Sequence, residues 1–460
     1  MEAVVSSGCE EKLTTKENSA DSTFPKKAGE ISLKRALNLA QAIFLGVGTG
    51  IGGVMFAVMG RAASAAGPSI VLTFLIGALF ALLMGLTYAE LGAAVPSAAG
   101  GAIAFVARAF GKRTPTFLAG WFSWIGSITD CAIGSVVFAF SVNYFIEWAE
   151  PFTLAVITLL VFALINFRGT RSMGIAQFAL TVALIATLCI FMAGSFLNFE
   201  AARFVPFFPK GWFPTISMVA FIFPTYAGYE SITQLSEEVK TAGKTIPRAL
   251  LLTLVFVALL FTGTVIAMIG GAPPEVYANS STPLQDAANF FMGPAGGIVI
   301  SLGGIVAALS TVNGAMAGGT RIAYALSRNG YLPAVFQRVH PRFRCPVTAL
   351  ALTTLLAIAF VLTRSVDFIV YAIALGYSVT AIVVAIALIR LRRTEPHLYH
   401  PFKVPLYPYV PIAAIITLCF MIATLSWESL VLGIAFGGLG FLLLFVGKRL
   451  RTRQAKEETN

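Results

Sequence analysis

The sequence predicts an all-α integral membrane protein with twelve transmembrane helices. Of its 460 residues, 57% are apolar and only 12% are charged, whereas soluble globular proteins contain about 45–50% apolar and about 25% charged residues. The mean hydropathy is +0.83, and the apolar residues gather in blocks close to the roughly 20 residues that cross a bilayer. This composition excludes a cytosolic enzyme, a disordered chain and a secreted protein held together by disulfides.

Twelve apolar blocks, called spans 1 to 12, follow one another along the chain. They cover residues 37–60, 67–92, 117–146, 152–167, 174–198, 214–236, 248–270, 296–324, 346–363, 368–391, 409–425 and 430–447. A shorter apolar stretch, Gly100–Phe110, carries Arg108 and is interpreted as a helix lying at the membrane surface. The spans are flanked by a polar tail of residues 1–35, which lacks the hydrophobic core of a signal peptide, and by a tail of residues 448–460.

The distribution of basic residues predicts the orientation. When both termini are placed in the cytoplasm, 28 of the 32 Lys and Arg residues fall on the cytoplasmic side. The four expected outside are Arg61, Arg203, Lys210 and Arg364. Because cytoplasmic loops of membrane proteins are enriched in Lys and Arg, we expect a multi-pass protein of the cell (plasma or inner) membrane with both termini cytoplasmic. The net charge of +11 therefore reports topology, and no nucleic-acid partner is expected.

Motifs for other kinds of chemistry are missing from the sequence. It contains no P-loop, no nucleophile elbow and no HExxH pattern, and its five cysteines are scattered without a CxxC pair. Its three histidines (His340, His397 and His400) all fall in predicted cytoplasmic loops. We therefore expect no enzymatic activity, no metal site and no cofactor, and the expected partners are the lipid bilayer and a small-molecule substrate.

Span 1 contains an unusual run of glycines. The segment Gly46–Gly53 has five glycines in eight residues, at nearly every second position. Packing motifs such as GxxxG place small residues four apart, whereas this spacing puts them on all faces and makes the helix easy to unwind. Unwound backbone at membrane depth is tolerated only where protein or a water-filled cavity covers it. A glycine-lined packing interface is an equally good interpretation of this segment alone.

Span 6 contains a second candidate interruption, in Phe221–Glu230. Pro224 removes a backbone donor, Gly228 follows four residues later, and polar side chains lie between them. Spans 1 and 6 correspond if residues 36–198 and 199–392 are two five-helix repeats, which start from opposite sides of the membrane and are thus inverted. Paired interrupted helices indicate a transporter binding site near the midplane. The predicted fold is thus a five-plus-five inverted repeat with interrupted helices 1 and 6, followed by two peripheral helices in 393–447.

Five ordered motifs also resemble a known family, the amino acid–polyamine–organocation transporter superfamily, over nearly all of residues 36–447. They are Gly52–Phe56 with the following Gly60 and Gly67-Pro68, Tyr88–Gly111, Phe117–Trp124, the YAGYE sequence with Glu237–Ala249, and Ser327–Pro341. The resemblance implies a secondary active transporter (permease or exchanger) that moves amino acids by alternating access. A carrier of polyamines or other organic amines is the alternative.

The resemblance also implies where a substrate binds. Its carboxylate would meet backbone amides around Gly52, Gly53 and Val54, and its ammonium would meet carbonyl groups near Gly50, Phe223 and Ala227. Both charges need partners because burying an unpaired charge costs many kcal/mol. The remaining predicted contacts are Ile51, Pro224, Thr225, Tyr226 and Gly228 in the two breaks, and Ser127 and Asp130 in span 3. Phe223, Tyr226 and Tyr229 are equally compatible with ordinary lipid-facing or packing aromatic residues.

Three positions depart from the family pattern. Val54 replaces a usual glycine, Thr241-Ala242 replaces a usual Asn-Pro, and Leu184 stands about where many members carry a lysine. The resemblance assigns that lysine to a cation position, and span 5 contains no Lys or Arg. The coupling mode is left open between a proton, sodium and simple exchange.

Ionisable and hydroxyl residues inside the spans are further candidates, since intramembrane carboxylates are rare and usually functional. Asp130 is expected to contact a cationic substrate or carry a coupling proton, or else to form a structural hydrogen bond with Ser127, Thr129 or another helix. For Glu230 the resemblance implies a structural role, in which it holds the unwound segment or faces a neighbouring helix N-terminus, and direct substrate contact is the alternative. Coupling or gating is assigned to Glu230, Ser310, Thr311 and Asn313, with sodium coordination by the last three as one possibility and bonding back to their own helix as the other.

Charged residues near the predicted cytoplasmic end are expected to form ion pairs. Glu90 is predicted to pair with loop arginines, and Glu237 and Glu238 with Arg or Lys near an inner gate. A channel and a non-transporting nutrient receptor are the rival functions. The spans offer few charges to line a pore, and tails of about 35 and 13 residues are short for signalling.

Overall fold

The computed structural model describes residues 37–95, 101–168, 173–234, 236, 239–278, 280–343 and 345–457. In residues 173–177 and 446–457 it describes the backbone alone. Within these ranges the regular structure is helical, apart from two isolated bridges that join Leu37 to Val239 and Val339 to Pro346. The predicted pairing of Glu237 and Glu238 lies outside the described residues.

The described α-helices are numbered α1 to α17 in chain order. They are α1 Leu39–Gly50, α2 Gly53–Ala66, α3 Ile70–Ala94, α4 Ala102–Phe110, α5 Thr114–Asn143, α6 Pro151–Phe167, α7 Met173–Ser195, α8 Trp212–Ile222, α9 Glu230–Gln234, α10 Ala242–Gly271, α11 Pro274–Tyr277, α12 Pro283–Met292, α13 Pro294–Arg328, α14 Val347–Leu362, α15 Val366–Thr394, α16 Tyr409–Ala423 and α17 Trp427–Glu457. Short 3-10 helices cover Gly67–Ser69, Phe196–Asn198, Ala201–Phe204, Phe223–Tyr229 and Ala334–Gln337.

Seven helical segments among the described residues are long and apolar enough to cross a membrane. They are Gly53–Ala94, Thr114–Asn143, Phe178–Asn198, Ala242–Gly271, Pro294–Arg328, Val366–Thr394 and Trp427–Phe445. Helices α1, α6, α14 and α16 are apolar but shorter, at 10–17 residues, and span 6 is divided among α8, a 3-10 segment and α9. The chain is therefore a multi-pass helical membrane protein, and the total of twelve crossings stays a prediction.

Helix α4 covers Ala102–Phe110 of the stretch predicted to lie at the membrane surface, and Phe105 and Val106 on it are fully buried against the rest of the protein. Its position at the membrane surface stays a prediction. One local feature was not predicted. The connection between spans 7 and 8 contains helices α11 and α12. These were not predicted because they begin at Pro274 and Pro283 in a mixed polar sequence without long apolar periodicity.

Helix α5 forms the centre of the packing, against α13 and α15. Small residues allow the close approach: a Cβ atom on Gly376 of α15 would lie 2.9 Å from the backbone nitrogen of Gly126 on α5, and one on Gly134 would lie 2.8 Å from Val312 of α13. Helices α6 and α14 also pack on α5, whereas α10 packs on α3 and α1, and α8 packs on α2 and α3. The two interrupted spans therefore belong to the group of helices around α3 and α10, and α2 also packs on α5.

The ion pairs follow the predicted sides of the membrane. Residues predicted outside pair with one another, in Arg61–Asp367, Arg203–Glu200 and Arg364–Glu150. Residues predicted inside do the same, in Arg108–Glu395 and Arg392–Glu90. The two ends of the molecule are called below the predicted external end and the predicted cytoplasmic end.

Candidate functional site

The glycine run of span 1 is interrupted after Gly50. Helix α1 ends there, Ile51 caps it with its N–H bonded to the carbonyl of Val47, and Gly52 lies in extended conformation before α2 begins at Gly53. Gly52 offers no side chain to cap α2. The first amides of a helix have no partner within the helix and carry the positive end of its dipole. The break therefore creates a group of N–H donors suited to an anion.

Span 6 is interrupted by the 3-10 segment Phe223–Tyr229. Pro224 stands at the start of this segment, which separates α8 from the short helix α9. Proline has no N–H to donate, so it breaks the regular bonding pattern here. The tighter 3-10 winding then runs to Tyr229 before α-helical geometry resumes at Glu230.

The two breaks touch each other. A Cβ atom on Gly228 would overlap the backbone of Gly50, so only glycine fits at this contact. Beside it, Thr49 Oγ1 lies 2.9 Å from the carbonyl oxygen of Gly228 and 2.8 Å from Ser231 Oγ. The structure thus joins the two glycine-containing interruptions that are 178 residues apart in the chain.

Hydroxyl groups of α13 cover the other side of the first break. The N–H of Gly53 donates to Thr311 Oγ1 at 3.0 Å, and Ser310 Oγ donates to the carbonyl of Gly48 at 3.4 Å. Thr311 also donates back to Ala307 within its own helix, at 2.9 Å. One of the amides expected to hold a carboxylate therefore already faces an oxygen acceptor.

Asn313 is not at the break, although it was grouped with Ser310 and Thr311. Its Oδ1 accepts a hydrogen bond from Asn166 Nδ2 of α6 at 3.2 Å. Three residues on a helix cover more than one face because each successive residue turns by about 100°. Asn313 therefore joins α13 to α6 in this structure.

The aromatic residues of the second break are packed inside the protein. Phe223, Tyr226 and Tyr229 are each at most 2% exposed, which rules out the lipid-facing alternative. The hydroxyl of Tyr226 donates to the carbonyl of Phe74 on α3 at 2.8 Å. Thr225 Oγ1 bonds back to Ile222 at 2.6 Å. In this conformation Tyr226 anchors the break to α3.

Asp130 forms a hydrogen bond between helices. The hydroxyl of Tyr377 on α15 donates to its carboxylate. Ser127 and Thr129 instead bond back to the carbonyls of Ser123 and Ile125, at 3.1 Å and 2.7 Å. Of the structural alternatives considered for Asp130, the bond to another helix is the one observed.

Glu230 is held in the same way by a second phenol. It is 6% exposed, and the hydroxyl of Tyr88 on α3 donates to its Oε1 at 3.0 Å. Glu230 and Asp130 are thus two carboxylates that each accept a hydrogen bond from a tyrosine of another helix. Neither forms an ion pair with any residue that the structure describes. Since an unpaired buried charge is costly, this pair of carboxylates is suited to receiving a proton or another cation.

A separate network surrounds Glu90 at the predicted cytoplasmic end. Glu90 is completely buried and accepts two hydrogen bonds from Arg392, both at 2.6 Å. The backbone N–H of Val404 donates to it at 2.6 Å, and His400 Nδ1 lies 2.9 Å from its Oε1. The predicted ion pair of Glu90 is present, and it ties α3 to the end of α15 and to the following loop.

A cavity of about 280 Å³ lies at the predicted external end. It is lined by α2, the end of α5, the segment before α12 and the start of α15, including Arg61 and Asp367. None of the residues predicted to contact substrate lines it. Val137 connects the two regions, since it lines the cavity and would lie 3.3 Å from a Cβ atom on Gly53.

Sequence reasoning missed several members of this arrangement. Tyr377 and Asp367 carry no local signal that pairs them with Asp130 and Arg61, because the partners are more than 200 residues apart. Thr49 lies inside the glycine run and was not singled out. The signal that could have identified Thr49 is that it carries the one polar side chain in the segment Gly46–Gly53.

Comparison with known proteins agrees with the geometry. The family model described as amino acid permease matches residues 37–444. The methylthioribose transporter of Bacillus subtilis is 28% identical over 92% of this chain and 95% of its own length. The branched-chain amino acid permease BcaP of the same organism is 24% identical, over 93% and 96%. The chloroplastic cationic amino acid transporter 9 of Arabidopsis thaliana is 27% identical, over 67% and 58%. With its helices, paired breaks and match over nearly the whole span region, the chain belongs to the amino acid permease family of membrane transporters.

Proposed function

We propose that the protein is a secondary active transporter, a permease or exchanger, that moves amino acids across the membrane by alternating access. The observation that carries this proposal is the contact of the two helix breaks at Gly50 and Gly228. Breaks in corresponding helices of two halves place backbone donors and acceptors together at membrane depth. The five-plus-five inverted repeat and twelve crossings, with both termini cytoplasmic in the plasma or inner membrane, belong to the same proposal.

The substrate's backbone charges bind the two breaks. Its carboxylate is held by the amides of Gly52, Gly53 and Val54 at the start of α2, because that helix end attracts anions. For the Gly53 amide, the carboxylate takes the place of Thr311 Oγ1, which lies 3.0 Å away in this structure. The ammonium is held by carbonyls near Gly50, Phe223 and Ala227, and the remaining residues of the breaks shape the space around them.

Asp130 distinguishes substrates by their side chains. It lies on α5 with Ser127 one turn away, and its only described polar partner is the hydroxyl of Tyr377. A carboxylate without a cationic partner is suited to a cationic group of the substrate or to a coupling proton. The second carboxylate, Glu230, gates the site through its bond to Tyr88, since that bond joins α3 to the end of the 3-10 segment.

Movement occurs between two groups of helices. The first contains α1 with α2, α3, α8 with α9, and α10, and the second contains α5, α6, α13 and α14. Members of each group pack against one another. Rocking one group against the other opens the breaks alternately to the two sides.

The coupling mode has candidates of two kinds. Asp130 and Glu230 are proton-binding groups, whereas Ser310, Thr311 and the carbonyl of Gly48 are oxygen ligands of the type that sodium takes. Leu184, which stands about where many members of the resembled family carry a lysine, is 1% exposed and apolar, so it supplies no cation. Exchange of one substrate for another needs neither ion.

Organic amines are the second candidate class of substrate. The relatives named above include a methylthioribose transporter and branched-chain and cationic amino acid carriers. The unpaired carboxylate of Asp130 favours a substrate with an amine. A channel or a non-transporting receptor would have no need of paired breaks.

The test is uptake by purified protein in proteoliposomes. Each of the twenty amino acids, together with putrescine and spermidine, is offered with and without a sodium gradient and with and without a proton gradient. We expect uptake of at least one amino acid, and the gradient that drives it identifies the coupling ion. Uptake of amines alone would assign the amine class, and no uptake or exchange of any compound would refute the proposal.

A further inference from the structure

We propose that the cavity at the predicted external end is a second binding site, which holds the zwitterionic group of an α-amino acid before it reaches the helix breaks. Its volume of about 280 Å³ is just below the range of drug-sized ligand pockets, about 300–1,000 Å³, as suits a ligand as small as an amino acid. The inference rests on the proposed function, since that function requires a route from the external side to the breaks.

The charges in the cavity match those of a zwitterion. Arg61 and Asp367 both line it, with Arg61 Nε 3.1 Å from Asp367 Oδ2 and with the two side chains 66% and 40% exposed. A guanidinium has five N–H donors and a carboxylate has two accepting oxygens. Each therefore keeps capacity for a ligand while the pair is formed. The carboxylate of an amino acid binds Arg61, and its ammonium binds Asp367.

The rest of the lining suits a small polar molecule with varied side chains. Ser280, Thr282 and Gln285 contribute hydroxyl and amide groups, whereas Phe56 and Phe140 contribute apolar surface. Arg61 and Asp367 bind only the carboxylate and the ammonium group, which all α-amino acids share. We therefore expect this outer site to recognise the zwitterion with little selectivity for the side chain.

The outer site and the helix breaks are too far apart for one ligand backbone to occupy both. Arg61 follows Gly53 by eight residues on the same helix, α2, which corresponds to about 12 Å along the axis. Val137 lines the cavity and would lie 3.3 Å from a Cβ atom on Gly53. We therefore expect a substrate to pass from the outer site to the breaks along α2.

Protection of an introduced cysteine tests the outer site directly. Ser281 lines the cavity and is exposed. In Ser281→Cys protein reconstituted in nanodiscs, modification by a cationic methanethiosulfonate is followed by mass spectrometry of the peptide that contains residue 281. Glycine, leucine and arginine should each slow the modification, whereas acetate and methylamine, which carry one of the two charges, should not.

Charge-removing variants then assign the protection to the pair. In the Ser281→Cys background, Arg61→Gln and Asp367→Asn should each raise the glycine concentration that gives half-maximal protection about fivefold. This factor is near the upper limit of what one partly exposed ion pair contributes. Arg364→Gln is the matched control. Arg364 pairs with Glu150 at 3.6 Å and does not line the cavity. In Arg364→Gln, glycine should therefore protect the introduced cysteine at the same concentration as in the parent.

A Gly228→Ala variant separates this proposal from the proposed function. It disrupts the contact of the breaks but not the cavity, so protection by glycine should persist. If glycine no longer protects the cysteine in Gly228→Ala, while the modification rate without ligand is unchanged, the protection depends on the breaks and the outer site is overturned. Absence of protection by all three amino acids in the parent would also overturn it. Transport without protection refutes the outer site alone, and protection without transport refutes the transport function alone.

Discussion

At the scale of single residues, two carboxylates inside the helix bundle, the partly buried Asp130 and the buried Glu230, have the same kind of partner. Asp130 and Glu230 each accept a hydrogen bond from a tyrosine on another helix, Tyr377 and Tyr88 respectively, and neither has a described cationic partner. A phenol lowers the cost of burying a carboxylate but supplies no positive charge. The arrangement is therefore poised to respond to a cation that arrives from outside the protein.

The side-chain role of Asp130 gives the first prediction. Asp130→Asn should reduce transport of arginine and lysine by about thirtyfold or more, because removing one charge of a desolvated charge pair costs at least about 2 kcal/mol. Transport of neutral amino acids should be spared. The measurement is initial uptake rate in proteoliposomes. Ser135→Ala is a matched control on the same helix, since the Ser135 hydroxyl bonds back to the carbonyl of Ala132, at 2.8 Å. Equal transport of both substrate classes by Asp130→Asn would reject the role.

Asp130 and Glu230 could be predicted from the sequence as candidate site residues, but their partners could not. A carboxylate in an apolar span stands out by composition, so Asp130 and Glu230 were found. Their partners were not found, because a tyrosine in a membrane helix is common and its contact with Asp130 depends on how α5 packs on α15. That packing arises from Gly126 and Gly376, which meet only in three dimensions.

At the scale of elements, the two breaks differ in cause. Span 1 is interrupted by glycines that leave the helix ends at Gly50 and Gly53 without side-chain caps, whereas span 6 is rewound into a 3-10 segment after Pro224. Both causes could be recognised in the sequence because glycine and proline act locally. The direct contact of the breaks could not, because it depends on the packing of both spans against α3, α10 and α13.

Gly228 provides the prediction for this contact. A methyl group at Gly228 would overlap the backbone of Gly50, so Gly228→Ala must push the breaks apart. We expect uptake to fall about tenfold or more, since overpacking costs about 1–3 kcal/mol and acts at the site itself. Gly438→Ala is the control, because a Cβ atom there meets nothing within 4 Å on the peripheral helix α17. Near-normal uptake by Gly228→Ala would show that the contact has no part in transport.

The N-terminus of α2 gives a prediction about ligands. If the amides of Gly52 to Val54 hold a carboxylate, a decarboxylated analogue loses that interaction. 3-Methylbutylamine should therefore compete with leucine uptake at least about tenfold more weakly than leucine itself, because charge-assisted hydrogen bonds contribute about 1.5–3 kcal/mol. The competition curve is measured in proteoliposomes. Equal competition by the amine would instead point to an amine carrier.

At the scale of the whole molecule, the buried Glu90 network joins parts that are distant in the chain. It links α3 to Arg392 at the end of α15 and to Val404 in the next loop. Arg108 and Glu395 form a more exposed pair nearby in the chain, with Nη2 and Oε2 2.8 Å apart. These ion pairs fasten the predicted cytoplasmic end in this conformation.

Glu90→Gln should destabilise the protein in detergent. It leaves Arg392 without its buried carboxylate, and removal of one partner of a buried ion pair costs about 3–5 kcal/mol. The midpoint of thermal unfolding should fall by several degrees. Glu395→Gln, which breaks the more exposed pair, should lower it less. An unchanged midpoint for Glu90→Gln would mean that the network does not hold the helices together.

The central claim is that the protein is a carrier that exposes its site to one side at a time. Counterflow tests it most directly: proteoliposomes are loaded with a high concentration of an unlabelled amino acid found in the uptake screen and diluted into a trace of the labelled one, with no ion gradient. We expect transient accumulation of label inside, above its external concentration, and loss of this accumulation in Gly228→Ala. Label that only equilibrates with the external concentration would show a channel-like path and contradict alternating access.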